Sequence, residues 1–217
     1  LPLYPSDETF SQGARALHDV GAHVYLAPSS YQWWLTYGKR PDGSFLWDGR
    51  EDFEKTARAH AVIGRDGSPP IRHSPWLEGG DTTNLCHGDP WTREWFSHLA
   101  EGLHGRGTDI FHLDQIISGH WPSGGVHNVC HSRTHGHPPG HGLWETEVLR
   151  DQLGSLRKKL PNLLIAGFEE PQELFIQQCC LQFHDGWHPS EPPGTGSISR
   201  DVTPTLWLTG SMPYHAS

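Results

Sequence analysis

Two short apolar runs with one helix-length interval between them constrain this chain more than any other feature. Residues 109–115 read DIFHLDQ and residues 163–170 read LLIAGFEE. Both are too short for a helix and rich in strand formers, and the breakers Gly105 and Gly107 precede the first. Between them, residues 144–160 carry Trp144, Val148, Leu149, Leu153, Leu156 and Leu160 as an apolar stripe. Arg157, Lys158 and Lys159 stand at the end where cations suit the helix dipole, and Pro161-Asn162 stops the helix. Strand, loop, helix and strand predict a βαβ unit with parallel pairing and a right-handed crossover. Asp114 then stands where a buried strand emerges, the place where ligands bind and catalytic groups collect in parallel α/β folds.

The flanking sequence extends this pattern. Residues 9–19 predict a helix with Phe10, Ala14 and Leu17 on one face, closed by Gly21, and residues 23–27 (HVYLA) predict a strand. A loop with Tyr31, Trp33, Trp34 and Tyr37 comes next; its rings serve either packing or a ligand platform. Asp42-Gly43 is a turn, residues 52–61 a weak helix, and residues 69–76 a strand despite their prolines. Asp89-Pro90 starts a helix, a capping Asp followed by Pro at the first helical position, that runs to Gly105. Residues 117–142 form a loop rich in Gly, His and Pro. Beyond Glu170 a short helix over 173–181, a loop over 189–196 and a last strand over 205–208 are expected. The expected fold is α/β, a (β/α)8 TIM-type barrel that is incomplete in this chain, with residues 1–217 forming a single partial catalytic-type barrel domain. A complete barrel takes roughly 250 residues, and a start at Leu1 points to a processed product, an excised domain or an incomplete gene.

Composition narrows the function classes. A net charge of −9 argues against nonspecific nucleic-acid binding, which needs basic patches to neutralise phosphates. The 17 histidines leave that sign open in mild acid. No apolar run approaches the ~20 residues of a membrane span. Cys86, Cys130, Cys179 and Cys180 show no CxxC spacing and read as buried free thiols, with a Cys86–Cys130 bridge the alternative. They do not settle the compartment, for which a secreted or extracytoplasmic setting is favoured. GxSxG, HExxH, GxxxxGK and GxGxxG are all absent from the sequence, which weakens serine-hydrolase, zincin, kinase and dinucleotide readings.

Two constellations carry chemistry. The first is acidic: Asp114 at one strand end, and Glu169, Glu170 and Glu173 at or after the next. Glycoside hydrolysis needs two acids held ~5–5.5 Å apart for retention or ~6.5–9.5 Å for inversion, and neighbouring strands lie ~4.8 Å apart. Acids are also favoured at helix starts, a structural reading that stands beside the catalytic one. The second is the segment containing His131, His135, His137 and His141. It reads as a polar wall of a substrate pocket, or alternatively as a metal site for zinc or copper.

The series LDQ (113–115), Cys130, HGHPPGHGLW (135–144) and LPNLLIAGFEEPQE (160–173) resembles a family of largely uncharacterised bacterial glycoside-hydrolase-like barrel domains. There an LDQ strand is followed by Cys, an HGHP loop, Trp, and a strand ending in a Glu with another Glu four residues on. Glu169 and Glu173 match that pair, and Tyr214-His215 is similar to a Tyr-His on a later strand. More remotely the chain looks like the endo-α-N-acetylgalactosaminidase and α-galactosidase group. That resemblance implies a retaining glycosidase with Asp114 as nucleophile and Glu169 as acid/base. The family has Gly where this chain has Glu170, which leaves the acid/base open between Glu169 and Glu170. Trp34, Gln115, His135, His137, Trp144, Glu170, Glu173 and His215 are the expected sugar-site residues. The expected partner is an oligo- or polysaccharide or a glycoconjugate, without nucleic acid, membrane span or cofactor. The alternatives are a carbohydrate-binding barrel with Trp33, Trp34 and Trp121 in its cleft, and a metal-dependent hydrolase or oxidase using the His131–His141 loop.

Overall fold

The computed structural model describes residues 7–26, 28, 31–74, 80–113, 129–168 and 181–183. The chain divides into two compact units. One comprises Leu1–Ser30, Ser97–Ser118 and Arg150–Ser217; the other comprises Tyr31–Phe96 and Gly119–Leu149.

The first unit contains both strands of the predicted βαβ unit and the greater part of its helix. Strands β1 (Tyr25–Leu26), β7 (Ile110–Leu113), β8 (Leu164–Phe168) and β9 (Leu181–Phe183) form one parallel sheet in the order β1-β7-β8-β9. The pairing of β7 with β8 runs from Ile110↔Leu164 to Leu113↔Gly167. Phe111 and Ile165, partners in that register, share one face and are fully buried, as alternation requires. Among the described residues this sheet is open, with four strands. Helix α4 (Leu143–Lys159) links β7 to β8, and its Leu153 and Leu156 are buried as the apolar stripe predicts.

Helix α1 (Asp7–Asp19) ends at Gly21, whose φ of +77° is the left-handed turn that glycine adopts without strain. Asp109 then ties the unit's start together. Its Oδ2 accepts from the Val24 N–H at 2.7 Å and lies 2.7 Å from His18 Nε2, while its own N–H donates to Val24 O. Partial burial works to raise the Asp109 carboxyl, but the Val24 N–H and the His18 and His23 rings outweigh it and hold the group below the ordinary carboxylate value.

In the second unit, the residues expected as an aromatic loop are strands. Strand β2 (Gln32–Trp34) pairs antiparallel with β6 (Gly80–Asn84), which also pairs with β5 (Arg72–Ser74). Strand β3 (Thr36–Lys39) forms a hairpin with β4 (Phe45–Asp48) around the predicted Asp42-Gly43 turn, where Gly43 has φ +84° and Asp42 Oδ1 accepts from Ser44 N at 2.9 Å. The weak helix splits into an α-turn, α2 (Arg50–Asp52), a π segment (Phe53–Ala57) and a 3-10 turn (Arg58–His60), with Phe53 and Ala57 buried. Helix α3 (Pro90–Gly105) starts as predicted: Asp89 Oδ2 accepts from Thr92 N at 3.0 Å and lies 2.9 Å from His60 Nδ1. The helix expected over 173–181 lies outside the described residues except for Leu181, which opens β9. The strand expected at 205–208 lies wholly outside them. No helix among the described residues is long and apolar enough to cross a membrane.

Candidate functional site

Strands β7 and β8 are neighbours, run parallel and end at Leu113 and Phe168. The next residue along the sequence is an acid in each case, Asp114 and Glu169. Both acids, with Gln115, Trp121, Glu170, Glu173 and His215, lie outside the described residues.

Of the expected sugar-site residues that are described, Trp34 belongs to β2, is half-buried and packs its indole against Tyr37 with centroids 5.3 Å apart. Trp33 packs against Phe53 and Trp95 at 6.4 and 6.1 Å. These rings hold the second unit together. The packing half of the two readings offered for this aromatic run is thus what these contacts describe.

His135 and His137 join a buried cluster with Cys86 and Cys130. The four donor atoms all lie within 4.8 Å of one another. Cys86 Sγ is 3.1 Å from His137 Nε2, and Cys130 Sγ is 3.4 Å from His135 Nδ1. The other nitrogen of each ring faces a carbonyl: His135 Nε2 lies 3.0 Å from Ala59 O, and His137 Nδ1 lies 2.8 Å from Pro138 O. A carbonyl oxygen only accepts, so those nitrogens carry the ring protons. All four ring nitrogens are thus engaged inside the protein, which gives these two histidines partners other than a sugar hydroxyl. His131 and His141 stand outside the cluster; His141 Nδ1 meets both carboxylate oxygens of Glu145 at 3.2 Å on the surface.

Local sequence explains how the cluster is assembled. Cys86 comes directly after Leu85, which bridges to Ala61 and is fixed by its N–H to Tyr31 O at 2.7 Å. Cys130 is set beside the 62–63 segment, where His131 N donates to Ile63 O, and Val62, Cys86 and Cys130 form a small buried core with Ile63 and Trp144 packed on it. Gly136, between the two ligating-type histidines, has φ +79°. Trp144 seals one side: its ring stacks on His137, and its Nε1–H donates to Gly140 O at 3.1 Å. The neighbouring His87 also stacks on Trp144, at 5.2 Å and 22°.

The electrostatics arise from the contact between the two thiols and from burial. A hydrogen bond between the two thiols, with desolvation, pushes Cys86 up, and the same bond, aided by His135, holds Cys130 down against its own desolvation. Burial acts to lower His135, but the Cys130 sulfur outweighs it and raises the ring. Burial and the nearby His137 push His87 down to about 4, leaving a neutral imidazole at pH 7 whose Nε2 is buried with no hydrogen-bond partner among the described residues. Both cysteines are buried free thiols, as expected from sequence. Sequence reasoning missed both cysteines of the cluster, taking His131 and His141 in their place; Cys86 lies 51 positions from His137, and no short motif announces so distant a partner. The C-x4-H-x-H spacing of Cys130, His135 and His137 was the available signal.

No family model matches the sequence, and no curated protein matches it. Solved structures do share its fold. The chain is similar to TtGalA, the α-galactosidase from Thermus thermophilus in complex with stachyose, at 13% identity and TM-score 0.56, over 94% of this chain and 39% of that one. It is similar to the glycoside hydrolase domain of PelA from Pseudomonas aeruginosa at 13% identity and TM-score 0.53, over 92% of this chain and 69% of that one. A family GH13_31 enzyme aligns at 12% identity and TM-score 0.53, over 94% of this chain and 44% of that one. The chain spans well under half the length of the α-galactosidase, and at these identities the likeness is one of architecture: that of TIM-barrel glycoside hydrolases.

Proposed function

We propose that this chain is the catalytic barrel portion of a retaining glycoside hydrolase acting on an oligo- or polysaccharide or a glycoconjugate. Asp114 is the nucleophile and Glu169 the acid/base, with Gln115 beside them. The observation that supports this reading most is the parallel pairing of β7 with β8, two adjacent strands that end at Leu113 and Phe168 and are each succeeded by an acid. Adjacent parallel strands deliver their next residues to the same rim of a sheet. The register Leu113↔Gly167 would set Asp114 level with Phe168, one residue before Glu169, so the two acids would meet diagonally over the rim, where double displacement needs carboxyls ~5–5.5 Å apart. The fold shared with an α-galactosidase, a GH13_31 enzyme and the PelA hydrolase domain supports the same chemistry.

In this mechanism the Asp114 carboxylate attacks the anomeric carbon while Glu169 protonates the departing oxygen. Glu169 then takes a proton from the water that releases the sugar. The test is a screen of the chain against aryl α- and β-glycosides and natural oligosaccharides, continued with Asp114→Asn and Glu169→Gln. Each substitution is expected to cut turnover by about 10²–10⁴-fold or more with the fold intact. Parental turnover in both variants overturns the assignment, and glycan binding with no hydrolysis by the intact chain makes it a binding barrel instead.

A further inference from the structure

We propose that Cys86, Cys130, His135 and His137 bind one zinc ion in a closed, four-coordinate structural site that fastens the 129–142 loop to the end of strand β6. This is independent of the glycosidase reading, because none of the four is an acid of that mechanism.

The spacing of the donors carries the proposal. Zinc bonds of about 2.3 Å to sulfur and about 2.0–2.1 Å to nitrogen, arranged tetrahedrally, put the ligand atoms roughly 3.5 Å from one another. The two sulfur–nitrogen pairs stand at 3.1 and 3.4 Å, and no pair of the four exceeds 4.8 Å. A small adjustment, opening the two close pairs slightly and drawing in any wider ones, brings every donor to bonding distance.

The tautomers support it independently. The carbonyls of Ala59 and Pro138 each take the proton-bearing nitrogen of one ring, His135 Nε2 and His137 Nδ1. That leaves the lone pairs of His135 Nδ1 and His137 Nε2 facing the sulfurs. Metal-bound histidines are held in this way by an outer acceptor that fixes ring orientation and tautomer.

Ligand type and burial then select the metal and its role. Two thiolates with two imidazoles suit zinc, whereas magnesium and calcium take oxygen ligands. Cys86, Cys130, His135 and His137 are 1%, 0%, 3% and 9% exposed, so four protein ligands close the site and leave no water position for catalysis. The loop around them has no regular secondary structure and few backbone bonds of its own, among them Gly140 N to Cys130 O at 2.7 Å. A metal supplies the cross-link that a Gly- and Pro-rich loop otherwise lacks, and offsets the cost of burying four polar groups together.

The test uses the full chain expressed without a histidine tag. Elemental analysis is expected to find about one zinc per chain, falling to the background of a control protein in Cys86→Ser and in His137→Gln. Cobalt exchanged into the intact chain is expected to show a thiolate-to-cobalt charge-transfer band with the strong visible bands of a tetrahedral ion, and Cys130→Ser to lose that band. If the variants do not fold, the intact chain's zinc content and cobalt spectrum decide alone. Metal at background in the intact chain overturns the proposal, and so does an intact mass lighter by the hydrogens lost in a Cys86–Cys130 disulfide with neither thiol titratable.

Discussion

The His137 ring lies flat on the indole of Trp144, their centroids 3.7 Å apart and their planes 10° from parallel. Trp144 is in the first turn of α4 and His137 in the loop before it, so this contact pins the start of that helix to the Cys/His cluster. Stacked rings of this kind contribute about 0.5–1.5 kcal/mol beyond the area they bury.

The backbone of Gly88 runs against that stack. A Cβ there would overlap the His137 ring and come within 2.6 Å of Trp144 Cζ3. Both rings are held by other contacts and have little room to retreat. Gly88→Ala is therefore expected to destabilise by about 1–3 kcal/mol, the usual cost of overpacking. Urea midpoints, with Trp fluorescence as the probe, check this; an unchanged midpoint shows that the stack moves freely.

Asp89 combines two tasks, capping α3 through Thr92 N and holding His60 Nδ1, whose ring stacks on Trp91 at 4.3 Å. Asp89→Ala is expected to cost about 1–3 kcal/mol, the loss of a cap plus a buried hydrogen-bond partner. Asp89→Asn, which keeps an acceptor, is expected to cost less than half as much. Thermal or urea unfolding of the pair separates the two, and equal losses would show that charge rather than hydrogen bonding matters.

Asp109 predicts a pH dependence. Its carboxyl is held below the ordinary value of about 3.9, so its contribution is fully present above that pH and is lost as the pH falls through the folded-state value. Asp109→Asn keeps an acceptor but loses the charge facing His18 and His23, and is expected to cost about 1–2 kcal/mol near neutrality. The gap between the two proteins should narrow below pH ~4. Urea midpoints from pH 6 down to the acid limit check this, and a constant gap refutes it.

Glu169 and Glu170 are adjacent in sequence, and in an extended chain adjacent side chains point to opposite faces. With Leu113 level with Gly167, an extended continuation of both strands would put Glu170 on the side of Asp114 and Glu169 on that of Gln115, so an acid/base role for Glu169 requires the chain to turn out of the extended path at the strand end. Once a substrate is in hand, Glu169→Gln is expected to lower turnover by about 10²–10⁴-fold and Glu170→Gln by less than about 10-fold. The reverse order moves the acid/base role to Glu170.

Legibility from sequence tracked the range of the interaction responsible. The start of α3 is written in Asp89-Pro90, the α4 stripe in its repeating leucines, and the β7 and β8 runs in their apolar residues, because each depends on neighbours a few positions away. Strand β6 (GDTTN) has no such signature: it is a strand because β2 and β5 bond to it from both sides. Unaware of that partner, a sequence reading puts Trp33 and Trp34 in a loop, with packing and a ligand platform both open, rather than in a paired strand.

The same division applies to the chemistry. Local patterning in the sequence determined a parallel βαβ unit with an acid after each strand, since periodicity and breakers act over one helical turn or one strand. Only the tertiary structure decided that Cys86, 51 positions from His137, meets it and that His131 and His141 are left aside. Which donors converge depends on how the end of β6 and the 129–142 loop pack on Val62 and Ile63, and that packing is a property of the assembled core rather than of any one segment.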